Sequence, residues 1–269
     1  MLTDGILFFE GRDLFVRAGK TTLLEGVSFT LKRGGILMLA GRNGSGKTTL
    51  LRGLAGLSGN VSGNFFFRTD ASITNIFTLS TREKARLFAF MPQHAPDHVP
   101  LTVCETVAMG RAPWQGFFGG AMPEDDGICR QAMIKTGIYH LKSASWPSLS
   151  GGERQRAVLA RVLSQQTPLI LLDEPTSALD YQHQQIVMDA LRGECKRGVS
   201  IIMATHDLNL AALYADSVML LDEGRSVACG SPAEVFTPEL LEQAYHCRLI
   251  VDRHPCLKVP RISLAACNA

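Results

Sequence analysis

The chain has 269 residues, 46% of them hydrophobic, enough for a sizeable core in one large domain or two interlocked subdomains. Its 27 basic and 25 acidic residues leave a net charge of +2, which gives no push toward nucleic acid or an anionic membrane surface. Seven scattered cysteines without a C-x-x-C pair point to reduced thiols rather than a disulfide framework or zinc site. With no signal peptide and no apolar stretch long enough to span a bilayer, the expectation is a protein of the aqueous compartment.

Residues 6–40 predict short strands with turns at "RAGK" and "KRGG", and "NFFFR" (64–68) adds another, together suggesting an antiparallel layer. The apolar run "GILMLA" (35–40) then feeds "GRNGSGKTTL" (41–50), after which leucines recur at helical spacing. Gly41, Gly46, Lys47 and Thr48 fit the phosphate-loop pattern G-x-x-x-x-G-K-[ST]. Side-chain-free positions there let successive backbone N–H groups converge on a polyphosphate, so Asn43, Gly44, Ser45 and Thr49 join these four as expected nucleotide contacts. Lys47 can reach the β- and γ-phosphates, and the Thr48 hydroxyl can ligate Mg²⁺.

From about residue 82 to 161 the pattern is mostly helical, broken by "MPQHAPDHVP" and by "GRAPWQGFFGGAMPEDD", both read as loops of a helical subdomain. Strands return in "PLILLDEP", "VSIIMATHD" and "SVMLLDEG", short apolar runs separated by helical segments, as in a parallel sheet covered on both faces. In "LILLDE" a buried strand ends in Asp173, expected beside the phosphate loop where it can hold the Mg²⁺ hydration shell. The adjacent Glu174, aimed differently, is expected to orient or deprotonate the attacking water. Upstream, "LSGGERQRAVLARVL" (149–163) sets Ser150, Gly151 and Gly152 before an amphipathic helix, a second anion site in one chain.

Here the residues resemble the ABC ATPase family, whose signature "LSGGERQR" matches word for word, and the resemblance runs from about Leu7 to the 240s with the family's motifs in order. It implies a P-loop cassette with a RecA-like α/β core, an N-terminal antiparallel β layer and an inserted helical subdomain. The expected division is a core of 1–85 and 166–245, a helical subdomain of about 86–165 and a tail of 246–269. It also implies a head-to-tail dimer in which the signature of one copy binds the γ-phosphate held by the phosphate loop of the other. Gln93 in "MPQ" resembles the family's Q-loop glutamine, a ligand of Mg²⁺ and water. "SALD" (177–180), ending in Asp180, resembles its D-loop, and His206 in "ATHD" its switch histidine at the γ-phosphate. Two positions depart from the pattern: Arg17 or Ala18, with Phe15 slightly too early, stands where many members stack an aromatic ring on adenine, and Gly35 replaces a frequent glutamate.

Three stretches, "LTVCETVAMGRAPW", "YQHQ" and the segment from "HDLNLAALYADS" to "FTPELL", resemble the ATPases of importers for ferric siderophores, ferric dicitrate, haem and vitamin B12. The resemblance implies ATP and Mg²⁺ as cofactors and a peripheral place on the cytoplasmic face of the inner membrane. It implies integral-membrane permease subunits and a second copy of the chain as partners, and indirectly an extracytoplasmic solute-binding protein; nucleic acid is not expected. Apolar Val99, Leu101, Val103, Val107, Met109 and Trp114 are expected to line the groove that receives the permease. The alternative is a soluble ABC ATPase acting on ribosomes or DNA, but such members usually carry two cassettes or a long coiled coil, which this chain lacks.

Overall fold

The computed structural model describes residues 8–94, 100–116 and 122–265. The elements run β1 (Phe8–Ala18), β2 (Thr21–Lys32), β3 (Ile36–Ala40), α1 (Lys47–Leu54), β4 (Asn60–Arg68), β5 (Ile73–Asn75), α2 (Thr81–Leu87) and β6 (Phe88–Met91). They continue with α3 (Val103–Ala108), α4 (Asp125–Lys135), α5 (Gly151–Ser164), β7 (Leu169–Asp173), α6 (Tyr181–Cys195), β8 (Ser200–Ala204) and α7 (Leu208–Tyr214). The last are β9 (Ser217–Asp222), β10 (Arg225–Gly230), α8 (Pro232–Val235), α9 (Pro238–Tyr245), β11 (Leu249–Arg253) and β12 (Pro260–Leu264). Two compact units result, 1–78 with 200–269, and 79–199.

In the first unit β1, β2, β4 and β5 form the expected antiparallel layer in the order β2-β1-β4-β5. The first two strands are long, 11 and 12 residues, rather than short. A register shift between Gly11 and Leu14 resets the two-residue alternation, so that Phe9, Leu14 and Val16 all face the buried side. The Phe9 ring stacks on Phe67 at 5.0 Å between centroids. Beside this layer β3 lies between β8 and β9 in parallel, with Leu37 opposite both Ile202 and Ser217. Every residue of β3 and β8 is buried, which is why both read as unbroken apolar runs. Helix α1 packs on β8 and α7 on β3. At the far end, where a short tail was expected, β11 and β12 form a hairpin tied to α7: Asn209 Nδ2 donates to Ile262 O at 3.0 Å and Ile262 N–H donates to Asn209 Oδ1 at 2.8 Å.

In the second unit β6 and β7 pair in parallel, Met91 opposite Leu172. Strand β6 falls in a stretch read as helical; its four apolar residues follow α2 directly and pair along β7 instead of extending the helix. Helices α3, α4 and α5 pack around Val103, Val107, Met133, Trp146, Val158 and Val162. Residues 109–114 form a 3₁₀ helix, although 110–114 read as the start of a loop. It is pinned where Trp114 Nε1 donates to Gln165 O at 2.7 Å and Arg111 Nε to Asp125 Oδ1 at 2.7 Å, the latter pair almost fully buried. The expected apolar groove is corrected in part. Val103 and Val107 have no exposure and belong to the core, whereas Met109 is 53% exposed and Leu101 half-buried. Val99 lies outside the described residues.

Candidate functional site

In the first unit, strand β3 delivers the chain into residues 41–46, and α1 starts at Lys47. Gly41 and Gly46 both take positive φ, 142° and 107°. A Cβ at Gly41 would collide with the Leu221 carbonyl oxygen, and one at Gly46 would lie 2.7 Å from Leu24 Cδ2, so the turn closes only with glycine at both places. Asn43 and Gly44 stand exposed at its outer edge. Lys47 folds back over the loop, its Nζ donating to Gly41 O at 2.7 Å and Arg42 O at 3.0 Å. Ser45 Oγ is buried inside the turn without a hydrogen-bond partner among the described residues. An orphaned hydroxyl inside a glycine-bounded turn fits a phosphate oxygen, which would satisfy it. Thr48 and Thr49 follow on the first turn of α1, half-buried. His206 is exposed between β8 and α7, where Asp207 caps the helix by accepting from Leu210 N–H at 2.9 Å.

Two supports of this loop have no signature in the sequence. Gly41 N–H donates to Tyr245 Oη at 3.0 Å, from the end of α9, and burial pushes the Tyr245 phenol up to about 12. Gly224, in the β9–β10 turn, donates its N–H to Ser45 O at 3.1 Å. No pattern flags either, because each contact joins a motif residue to a single distant one.

The second unit carries the carboxylates. Because β6 and β7 run parallel in register, the residues just past their ends lie side by side, and Gln93 Nε2 donates to Glu174 Oε2 at 3.3 Å. Asp173 is buried, at 2% exposure, as the last residue of β7. Glu174 turns away through a left-handed backbone, φ 50°, an uncommon conformation for a side chain with a Cβ. Gln155 holds that turn: its Nε2 donates to Glu174 O at 2.8 Å and its Oε1 accepts from Ala178 N–H at 3.3 Å. The signature reading missed this clamp, since Gln155 sits inside the helix face taken as merely amphipathic.

Ser150 caps α5 in a full capping box: Glu153 Oε2 accepts from Ser150 N–H at 2.7 Å and from its hydroxyl at 2.8 Å. The Ser150 N–H and, less strongly, its hydroxyl hold the Glu153 carboxyl below the usual carboxylate range. Gly151 is exposed, and a Cβ there would meet open space. Gly152 packs closely under the Ala178–Leu179 stretch. Asp180 caps α6, accepting from His183 N–H at 2.9 Å, and that bond foremost lowers its carboxyl. The phosphate loop, Thr48, Thr49 and His206 thus belong to one unit, while Gln93, Ser150, Gly151, Gly152, Asp173, Glu174 and Asp180 belong to the other.

A glycine cradle on a strand-to-helix turn, a buried strand-end aspartate followed by a strained glutamate, and a serine-capped signature helix define a P-loop ATPase cassette. The family model described as ABC transporter matches residues 24–177, and the chain belongs to that family as an ATP-binding, ATP-hydrolysing cassette. Among curated relatives it is 38% identical to the hemin import ATP-binding protein HmuV of Thermobifida fusca (strain YX), over 97% of this chain and 90% of that protein. It is 36% identical to the ferric enterobactin transport ATP-binding protein FepC of Escherichia coli (strain K12), over 97% and 95% respectively. Among solved structures, a chain of an ABC transporter assigned to the metal-chelate type and caught facing inward superposes with a TM-score of 0.80 at 25% identity, covering 98% of this chain and 99% of that one.

Proposed function

We propose that this cassette energises a membrane importer of iron chelates, with haem or a ferric siderophore as the cargo and vitamin B12 as the remaining member of the class. The observation that carries the reading is similarity to HmuV and FepC along 97% of the chain, so that it extends past the ATPase motifs into both ends. No helix among the described residues is long and apolar enough to cross a membrane; in this reading permease subunits supply the path for the cargo.

In this reading Lys47 releases the Gly41 and Arg42 carbonyls to meet the β- and γ-phosphates, while Ser45 and the N–H groups of residues 43–49 wrap the rest. Thr48, Gln93 and Asp173 offer hydroxyl, amide and carboxylate oxygens, a hard donor set that suits Mg²⁺. When bound, the ion would neutralise charge on the β- and γ-oxygens. Glu174 holds the attacking water and takes its proton, with Gln93 fixing the carboxylate's aim. His206 meets the γ-phosphate. Ser150, Gly151 and Gly152 of a second copy close the site from the other side, with Asp180 at the junction. The helical stretch of about 86–165 meets the permease on the cytoplasmic face of the inner membrane, and a solute-binding protein loads cargo outside. The test is co-expression with candidate permeases and ATP-driven uptake of haem, ferric siderophore or cobalamin into reconstituted vesicles. Uptake of one of these fits the reading; association with ribosomes or DNA-repair proteins in place of a permease overturns it.

A further inference from the structure

The outer edge of the phosphate loop carries a chemically reactive pair. Asn43 is followed by glycine, whereas Asn60, Asn64, Asn75, Asn209 and Asn268 precede valine, phenylalanine, isoleucine, leucine and alanine. Asn43 and Gly44 are both exposed; Gly44 takes φ 81°, and a Cβ built on it would meet open space. Neither the Asn43 side-chain amide nor the Gly44 N–H has a hydrogen-bond partner among the described residues, although the next N–H along, that of Ser45, donates to Arg42 O at 3.1 Å. The turn is closed around a pair that is itself unheld. The other described asparagines sit in regular structure, Asn60 and Asn64 in β4, Asn75 in β5 and Asn209 in α7. Asn75 Nδ2 donates to Asn64 Oδ1 at 2.9 Å, and Ile262 engages both ends of the Asn209 amide.

Resting on the nucleotide-site reading above for its second half, we propose that Asn43 is a modification site, converting by loss of ammonia to aspartate and isoaspartate, and that bound nucleotide protects it. Base removes the Gly44 amide proton and that nitrogen attacks Asn43 Cγ, an approach that a side chain on the following residue would obstruct. The N–Cγ bond forms, the Cγ–Nδ2 bond breaks, and Nδ2 leaves as ammonia with a proton from solvent. Water then opens the cyclic imide. Opening at Cγ gives aspartate; opening at the original peptide carbon gives isoaspartate, in which the backbone runs through Cγ and gains a methylene. Nothing is oxidised or reduced. An added methylene lengthens a turn that closes only with glycine at 41 and 46, so a copy carrying isoaspartate loses the site. In the occupied loop the Gly44 N–H donates to a phosphate oxygen and is no longer a free nucleophile. The cassette therefore ages when idle and not when loaded.

The test ages the wild-type chain at pH 8 with and without ADP and maps its peptides by mass spectrometry, isoaspartate being resolved by retention time. Residue 43 should convert before Asn60, Asn64, Asn75 and Asn209, and faster at higher pH. With ADP at about ten times its dissociation constant, conversion should slow about tenfold, since only the unoccupied fraction reacts. The stoichiometry of ADP binding in titration calorimetry should fall by the fraction of isoaspartate, while tryptophan fluorescence shows the fold retained. Asn43→Gln, read by mass alone, should abolish the conversion, because the longer side chain closes the ring poorly. Conversion at 43 no faster than at Asn60 or Asn64, in protein that binds ADP, overturns the proposal and leaves the nucleotide-site reading standing. An unchanged rate at 43 under saturating ADP overturns the protection. Failure of fresh, unconverted protein to bind ADP fails the nucleotide-site reading instead, and the rate at 43 in the free chain still decides the modification.

Discussion

Replacing Tyr245 with phenylalanine removes one oxygen, and that oxygen is the acceptor for Gly41 N–H at the root of the phosphate loop. A partly buried N–H stripped of its acceptor costs about 1–2 kcal/mol, so at pH 8 the variant should be less stable by that amount. The difference then depends on pH. Burial raises the phenol in the folded protein to about 12 from an ordinary 10, although the Gly41 bond pulls it down and Cys247 adds a smaller upward push. A raised folded value means that this contribution is complete below pH 10 and is lost as pH climbs through 12, because the unfolded chain releases the proton first. The rise from 10 to about 12 corresponds to about 2.7 kcal/mol in all, of which about 1.4 kcal/mol is gone by pH 11. Urea unfolding of wild type and Tyr245→Phe, followed by tryptophan fluorescence from pH 8 to 11, should therefore give an offset that shrinks nearly to zero. Groups common to both proteins cancel in the difference. An offset constant across that range refutes the buried phenol, and an offset of zero at pH 8 refutes the Gly41 bond.

Glu174→Gln should retain ATP binding and lower hydrolysis by orders of magnitude, and with ATP and Mg²⁺ it should elute as a dimer in size-exclusion chromatography; a monomer under saturating nucleotide counts against the shared site. Asp125→Ala would strand the buried Arg111 guanidinium and should cost about 3–5 kcal/mol, read as a lower melting temperature. Burial raises the Asp125 carboxyl, but Arg111 and the Met122 N–H outweigh it and leave it lowered. Its contribution is thus present above the ordinary carboxylate range and lost as pH falls through the folded value, so the melting curves of wild type and variant should converge in acid. Met109→Glu, on the exposed part of the apolar strip, should uncouple hydrolysis from uptake in vesicles without changing ATP affinity, whereas a charge at core Val103 should unfold the unit.

What was legible in the sequence was chemistry compressed into contiguous words. Gly41, Gly46 and Lys47 announce themselves because a polyphosphate demands bare backbone and one cation within a single turn, and Asp173 follows because a buried strand ends on it. Strand β6 escaped because four apolar residues joined to a helix have no periodicity of their own; only pairing with β7 defines them. Val103 and Val107 looked like surface for the same reason: a six-residue helix shows which residues share a face, not whether that face meets a partner or α5. Tyr245 reaches Gly41 across 204 positions, a distance at which no local spacing carries information.

The Gln155 amide joins three stretches that read as separate motifs. It rises from the signature helix, grips the Glu174 carbonyl with one end and receives the Ala178 N–H with the other. An amide both donates and accepts at such a spacing, whereas glutamate there would repel the carbonyl and leucine would satisfy neither group. Glu174 stays in its left-handed turn as long as α5 stays in place, so a push on the serine-capped end of α5 travels through one side chain to the Glu174 carboxylate and to the approach to Asp180. The three motifs work as one lever with a single pivot, and a variant library that permits change at residue 155 should find the loss of hydrolysis and the loss of dimer closure arriving together.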